Sequence, residues 1–160
     1  MKKIALLFII TFLFLGCWEN LNGPSGKWYI KNITDQMLIL PYSSYSFLNK
    51  DDKAITPGDS IIIADVEFEG SPKKPYFSYW LEIISRHGGE AASLKVFSEN
   101  GHLLKEWSYQ ERDFTGKQFF KESSWRYYPN IEEQYQNGGY IGATWVFEIL
   151  PEDLEEESDE

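Results

Sequence analysis

Side chains with catalytic or metal-binding chemistry are sparse in this sequence. The two histidines, His87 and His102, are far apart, whereas zinc sites draw on ligands at close spacing. His87 is followed by Gly88-Gly89, as in some oxyanion-hole loops, but no Gly-x-Ser-x-Gly motif supplies a nucleophile. Cys17, the only cysteine, is isolated near the amino terminus. We therefore predict no catalytic residues, no metal site and no cofactor, and hence a protein that is not an enzyme.

Two closely spaced carboxylates offer a different chemistry. Glu67 and Glu69 flank Phe68 and would share one face of a strand, since side chains alternate along a strand with a period of two. Such a pair is compatible with glycoside hydrolysis or with Ca²⁺ binding. It is also the composition of the solvent-facing side of an edge strand, and the sequence contains no Asp-x-Asp-x-Asp-Gly calcium loop. The sequence favours the solvated edge.

Aromatic residues make up 17% of the chain, and two clusters of them are candidates for ligand binding. Tyr42 and Tyr45 lie in a predicted loop, and Trp125 and Tyr127 flank Arg126. Aromatic side chains beside a few polar groups are typical of ligand sites, and flat rings can cover the apolar face of a sugar. The alternative is that most of these rings belong to the core. We predict Tyr42, Tyr45, Trp125 and Tyr127 as contacts for a glycan or protein ligand.

The amino-terminal segment has the pattern of an export signal. Lysines at positions 2 and 3 precede an apolar run over residues 4–15, and Gly16 ends it. The run is too short for a transmembrane helix, which needs about 20 apolar residues. A basic start, a short apolar run and a small residue at its end are typical of a signal peptide.

The cysteine that follows this run indicates a particular kind of export signal. Gly16-Cys17 after the apolar stretch resembles the lipoprotein signal of bacteria. The resemblance implies that residues 1–16 are a signal peptide and that the thiol of Cys17 carries a diacylglycerol. Acyl chains anchor a protein through about 0.8 kcal/mol per buried methylene. The implied location is the bacterial cell envelope, at the outer membrane, on its periplasmic or outer face.

The net charge of the chain limits the classes of molecule that it is expected to bind. Asp and Glu number 25 and Lys and Arg 15, which gives a formal net charge of −10. Phosphate backbones repel such a chain, so nucleic acid is not an expected partner. Membrane contact is expected through the lipid on Cys17 rather than through a protein face. Because no second cysteine exists, no disulfide can form within the chain, and packing must stabilise the domain.

Composition divides the chain into four segments. Residues 1–16 are the signal, and residues 17–26, polar and rich in Gly and Pro, are a predicted flexible tether. Residues 27–150 are the predicted domain, in which short aromatic and β-branched runs alternate with turn residues. Residues 151–160 are a predicted disordered acidic tail, since they cannot bury apolar surface. We predict a mainly β fold: a single antiparallel β-sandwich, immunoglobulin-like or related, with at most one short helix.

The most specific local pattern is a hairpin around Asn100-Gly101, the preferred pair for a two-residue type I′ turn. Opposite charges and an aliphatic–aromatic pair then face each other across the strands, and both pairings favour the hairpin. The register counted outward from this turn pairs Glu99 with His102, Phe97 with Leu104, Lys95 with Glu106 and Leu94 with Trp107.

Three other segments carry local information. Residues 56–59, Thr-Pro-Gly-Asp, predict a tight turn. The alternation of Trp145, Phe147 and Ile149 with other residues predicts a strand with one face in the core. Residues 76–86 fit either an amphipathic helix or an aromatic strand, and the neighbouring strands and paired aromatic residues favour the strand.

Two resemblances concern the rest of the chain. Asp59-Ser60-Ile61 resembles the acceptor for periplasmic O-glycosylation in Bacteroidetes bacteria, which makes Ser60 a candidate modification site. The basic signal, Gly-Cys-Trp at 16–18, Asn-Ile-Thr-Asp-Gln at 32–36 and Trp-Arg-Tyr-Tyr-Pro-Asn at 125–130 together resemble the layout of small lipoproteins of the same bacteria. That family brings no activity with it.

These observations support two hypotheses on function. The first is a lipid-anchored, non-catalytic binding or scaffolding domain for a protein or glycan ligand. The alternative is an inhibitor or immunity lipoprotein that neutralises a basic enzyme or toxin of the envelope, since charge complementarity would favour a basic partner.

Overall fold

Strands make up most of the regular structure. The computed structural model describes residues 24–41, 51–68, 75–87, 89–130 and 141–155. Within these ranges there are eight strands and one α-helix. In chain order they are β1 Ser25–Asn32, β2 Leu38–Leu40, β3 Lys53–Ile55, β4 Ser60–Glu67, α1 Ser78–His87, β5 Ser93–Ser98, β6 Leu103–Ser108, β7 Arg126–Asn130 and β8 Gly142–Ile149. Short 3₁₀ helices cover Gly89–Ala91, Tyr109–Glu111, Glu122–Ser124 and Pro151–Asp153.

The strands form two four-stranded sheets, in the orders β4-β1-β8-β7 and β3-β2-β5-β6. Trp28 and Ile30 of β1 lie on the buried side of the first sheet, and so do Trp145 and Phe147 of β8. This is the period of two expected for strands with one face on a core. From the second sheet, the ring of Trp107 lies 5.1 Å from the ring of Phe147. Two such sheets fit a sandwich, so the predicted mainly β fold class is confirmed.

One strand pair departs from the predicted antiparallel arrangement. β1 and β8, the two central strands of the first sheet, run parallel, with Trp28 opposite Trp145 and Lys31 opposite Glu148. A parallel pair needs a crossover connection of a dozen residues or more. Here the rest of the fold lies between the two strands, and it supplies that crossover. All other pairs among the described strands are antiparallel.

The segment predicted as a strand over 76–86 is a helix, so that prediction is wrong. The helix α1 covers Ser78–His87, and Phe77, Trp80 and Ile84 are buried. Residues three and four apart share a face of a helix, whereas in a strand Phe77 and Trp80 would point to opposite faces. The helix is therefore the conformation that brings all three side chains into the core.

The β5–β6 hairpin has the predicted pairing in its body. Leu94 pairs with Trp107 and Lys95 with Glu106, and Lys95 Nζ lies 3.6 Å from Glu106 Oε1. Both side chains of this ion pair are partly exposed, where such pairs contribute about 0–1 kcal/mol. Burial of Leu94 and Trp107 against the core is the larger contribution to the register.

The turn of this hairpin is longer than predicted. The N–H of Ser98 donates to the carbonyl of His102 at 2.8 Å, which leaves three residues in the loop instead of two. Gly101, with φ +80°, donates its N–H to the carbonyl of Ser98 at 2.9 Å, as in a three-residue loop closed by a left-handed glycine. Phe97 consequently pairs with Leu103, and a register shift beside Phe97 restores the predicted pairing.

The fold begins earlier than the predicted domain boundary at residue 27. β1 starts at Ser25, and the carbonyl of Pro24 accepts the N–H of Phe68 at 3.0 Å. A Cβ on Gly26 would lie 2.8 Å from Cη2 of Trp28, so only glycine fits there. Residues 24–26 thus belong to the fold rather than to the tether. The predicted signal and the rest of the tether lie outside the described residues.

At the carboxyl end, the prediction of disorder is wrong for the first residues of the acidic tail. Pro151–Asp153 forms a 3₁₀ helix. The carboxylate of Asp153 accepts the N–H of Leu150 at 2.8 Å and pairs with the largely buried ammonium of Lys117. Lys117 also donates to the carbonyl of Glu148. One cation thus ties this segment to the end of β8, an arrangement that an acidic composition does not reveal. Residues 156–160 lie outside the described residues.

Candidate ligand-binding cleft

Tyr127 stands at the open edge of the first sheet. It belongs to the edge strand β7 and pairs with Trp145 of β8, and paired residues project from the same side of a sheet. The rings of Tyr127 and Trp145 lie 5.6 Å apart at a tilt of 53°. Among the described strands, none lies on the other side of β7, and Tyr127 is 37% exposed while Trp145 is buried. The predicted ligand contact Tyr127 is therefore accessible.

The segment that leads into α1 lines the same cleft as Tyr127. Tyr76 is 40% exposed, whereas the next residue, Phe77, is buried. The ring of Phe77 lies 6.1 Å from the ring of Trp145, edge to face. Phe77 and Trp145 together form the floor of a cleft of about 390 Å³, and Tyr76 and Tyr127 lie at its sides. Pro75, Ser78 and Glu122 complete the lining of what we call the tyrosine cleft.

The polar groups of the tyrosine cleft are two phenols, the hydroxyl of Ser78 and the carboxylate of Glu122. Glu122 is exposed and opens the 3₁₀ helix Glu122–Ser124, whose end is closed by the N–H of Trp125 donating to the carbonyl of Glu122 at 3.0 Å. No lysine, arginine or histidine is among the lining residues described. The cleft therefore combines apolar ring faces with hydrogen-bonding groups and a single negative charge.

Trp125, a predicted ligand contact, is a core residue with little of its ring at the surface. Its side chain is only 7% exposed, its ring packs 5.5 Å from that of Phe77, and its Nε1–H donates to the carbonyl of Phe119 at 2.6 Å. A buried indole usually satisfies its N–H in this way. Trp125 instead supports the cleft, because it holds both the floor and the turn that carries Glu122.

Of the other predicted site residues, only Ser60 lies within the described residues, and it does not line this cleft. Ser60 is exposed at the start of β4, where it pairs with Lys31, and it remains a candidate for modification. Cys17, Tyr42 and Tyr45 lie outside the described residues.

Neither the carboxylate pair nor the histidines gather into a site in the described residues. Glu67 is exposed at the end of β4, and its predicted partner Glu69 lies outside the described residues. His102 is exposed beside the hairpin turn, and His87 is the last residue of α1. Among the residues that the structure describes, no group of three or more His, Cys, Asp or Glu side chains is arranged to hold a metal ion.

A second concave surface is formed by residues outside the tyrosine cleft. It has a volume of about 910 Å³ and is bounded by β6, the loop after it and the 3₁₀ helix Pro151–Asp153. Phe114, 59% exposed, stands within it. Its lining is mostly charged, with Lys105 and Lys117 set among the carboxylates of Glu106, Glu111, Asp113, Glu152 and Asp153. We call this surface the acidic groove.

Sequence reasoning identified one wall of the tyrosine cleft and missed the other. Tyr76 belongs to the segment 76–86, which fits either a helix or a strand by sequence, and Glu122 is not among the residues predicted for a site. The available signal for Tyr76 was its position outside the apolar stripe of Phe77, Trp80 and Ile84, which leaves it exposed once the stripe is buried in a helix.

Comparisons with known proteins identified no related protein. No protein family model matches the chain, and neither a curated protein nor a solved structure matches it. Among the described residues, no helix is both long enough and apolar enough to cross a bilayer.

Proposed function

We propose that this protein is a lipid-anchored binding protein of the bacterial envelope and that the tyrosine cleft takes a glycan. One observation carries the proposal: two partly exposed tyrosines, Tyr76 and Tyr127, flank a buried aromatic floor beside a carboxylate and a hydroxyl. A pyranose ring has an apolar face that suits an aromatic side chain and hydroxyls that suit the polar groups around it.

The dimensions and the rigidity of the cleft support this proposal. Its volume of about 390 Å³ falls within the range of roughly 300–1,000 Å³ that is usual for small-molecule sites. Its floor is part of the core, and Tyr127 projects from a hydrogen-bonded strand. A site fixed in this way loses little conformational entropy when a ligand binds, so more of the contact energy is available for affinity.

We expect a Tyr127→Ala variant to bind glycans at least about tenfold more weakly than the parent, because it removes one ring face from the cleft. The measurement is binding of the detergent-solubilised full-length protein to an array of neutral and amino-sugar oligosaccharides. The matched control is Tyr128→Ala. Tyr128 is the neighbouring tyrosine of β7, is also exposed, and pairs with Thr144 on the other face of the sheet.

Three outcomes of this experiment decide the proposal. Loss of binding in the Tyr127 variant alone supports it. Equal binding by the parent and both variants would place the ligand elsewhere on the surface. Absence of any glycan binding by the parent would overturn the glycan proposal.

A second candidate function, neutralisation of a basic envelope protein, is favoured by the acidic groove. Phe114 stands exposed among its carboxylates, and an apolar anchor within a ring of charges suits a basic protein partner. Capture of envelope proteins by the full-length chain separates the two candidates. Salt-sensitive recovery of one basic protein, unaffected by Tyr127→Ala, would favour neutralisation.

The anchor is tested by removal of its attachment point. We expect a Cys17→Ala variant to leave the membrane fraction, since the lipid on Cys17 is the proposed membrane contact and a diacylated chain binds a bilayer lastingly. The measurement is the distribution of parent and variant between membrane and soluble fractions after cell lysis, with incorporation of labelled palmitate as the second readout. A variant that stays with the membrane, or a parent without label, would refute the lipoprotein proposal.

A further inference from the structure

The charge of the tyrosine cleft is unbalanced. Glu122 is the only acidic or basic side chain among the described residues that line it, and it takes part in none of the ion pairs found between described residues. By contrast, Glu148 of β8 is paired with Arg126 of β7, whose Nε lies 2.7 Å from Glu148 Oε2. Among the described residues, the cleft thus presents a carboxylate with no cationic side chain paired to it.

The aromatic walls favour the same sign of ligand charge. The π face of a tyrosine is electrically negative, so a cation within about 6 Å of the ring centroid is attracted to it. Tyr76 and Tyr127 are the exposed rings of the cleft. A protonated amine in the cleft could also donate a charge-assisted hydrogen bond to Glu122, and such bonds are stronger than those between neutral groups.

The net charge of −10 acts in the same direction. It raises the local concentration of cationic ligands and lowers that of anionic ones. Saccharides with carboxylate, sulfate or phosphate groups are therefore disfavoured at this site, and neutral saccharides gain only ring contacts and hydrogen bonds.

On the premise of the glycan-binding function proposed above, we infer that the tyrosine cleft selects saccharides that carry a protonated amino group. Glu122 is the specificity-determining residue, and Tyr76 and Tyr127 provide affinity for the sugar ring whether or not it is charged. Acetylation of the amino group removes the cation and with it the preference.

The test compares two probes that differ only in acetylation: the β-1,4-linked tetramer of glucosamine and that of N-acetylglucosamine. Binding of each to the detergent-solubilised full-length protein is measured by calorimetry, at low and at moderate salt. We expect the parent to bind the glucosamine tetramer at least about tenfold more tightly, and Glu122→Gln to abolish this preference while it leaves the affinity for the acetylated tetramer within about twofold.

A control variant distinguishes the effect of the Glu122 charge in the cleft from the effect of the net charge of the chain. Glu111→Gln removes the same charge from the acidic groove and should keep the preference. If Glu122→Gln and Glu111→Gln reduce it equally, or if the parent binds both tetramers alike, the inference is overturned and the proposed glycan function stands. If the parent binds neither tetramer, the inference is overturned, and the proposed function falls with it only if the parent also binds no member of the oligosaccharide array. If Tyr127→Ala binds both tetramers as the parent does, the tyrosine cleft is not the binding site and both proposals fall.

Discussion

Replacement of Asn32 by Asp is expected to lower the free energy of unfolding by about 3–5 kcal/mol. Asn32 is 0% exposed at the end of β1. Its Nδ2 donates to the carbonyls of Gln36 and Ile55 at 2.8 and 2.9 Å. Its Oδ1 accepts from the N–H and the hydroxyl of Thr34 at 2.9 and 2.7 Å. All four hydrogen-bonding positions of this amide are used, and the bond to Ile55 ties the first sheet to β3 of the second.

Aspartate has nearly the same shape as asparagine, but its carboxylate cannot donate the two hydrogen bonds that Nδ2 of Asn32 makes. It keeps the acceptor for Thr34, but it replaces two donations with a charged oxygen that faces two carbonyl oxygens. A buried polar group left without its partner costs about 1–3 kcal/mol, and a buried unpaired charge costs more. The loss in the free energy of unfolding relative to the parent should be smaller at about pH 4 than at about pH 7. Protonation of the new carboxyl removes its charge and restores one donor.

The measurement is urea unfolding of the full-length protein, followed by tryptophan fluorescence. Asp35→Asn, the reverse exchange three residues further along at an exposed position, is the control and should shift the free energy of unfolding by no more than about 0.5 kcal/mol. An Asn32→Asp variant as stable as its parent would mean that the amide does not contribute to joining the sheets.

Truncation of Trp28 to alanine is the second large effect, with an expected loss of about 3–5 kcal/mol. Trp28 is fully buried on β1, and its ring stacks on that of Trp145 with centroids 4.8 Å apart and planes inclined by 12°. Gly26 lies against the same ring. Alanine would leave a large cavity in the centre of the first sheet, and the surrounding strands can close it only in part.

A phenylalanine at the same position should be much better tolerated. The Nε1 of Trp28 has no hydrogen-bond partner among the described residues, so Trp28→Phe removes volume and loses no hydrogen bond. At Trp125 the same exchange also leaves the carbonyl of Phe119 without its donor. We expect Trp28→Phe to cost about 1–2 kcal/mol and Trp125→Phe to cost more.

Chemical unfolding of the three tryptophan variants measures these differences. The reverse order, with Trp28→Phe more damaging than Trp125→Phe, would contradict the hydrogen-bonding argument. A Trp28→Ala variant that loses less than about 1 kcal/mol would contradict the central packing role assigned to the stacked pair.

The sequence predicted those parts of the fold that depend on neighbouring residues. The turn over residues 56–59 is present, with Gly58 at φ +84° and the N–H of Asp59 donating to the carbonyl of Thr56 at 3.1 Å. The alternation in β8 places Trp145, Phe147 and Ile149 in the core as expected. Periodicity and turn chemistry act over a few residues, so they can be read without knowledge of the fold.

The candidate site was predictable only in part. The composition of the β7 segment marked Trp125 and Tyr127 together, but a cluster of aromatic residues does not say which of them faces the core. The burial of Trp125 depends on Phe77 and Phe119, and the exposure of Tyr127 depends on β7 being the last strand of its sheet.

By itself, the sequence determined the acidic charge, the lack of a second cysteine for an internal disulfide, and a mainly β domain, and it predicted a signal peptide over residues 1–16. Only the tertiary structure decided that residues 78–87 are helical, that β1 and β8 run parallel, and that Pro75–Ser78, Glu122 and Tyr127 meet in one cleft. The physical reason is the range of the interactions involved. A helical stripe and a strand can bury similar residues, and the choice between them is made by the side chains of distant segments that complete the core.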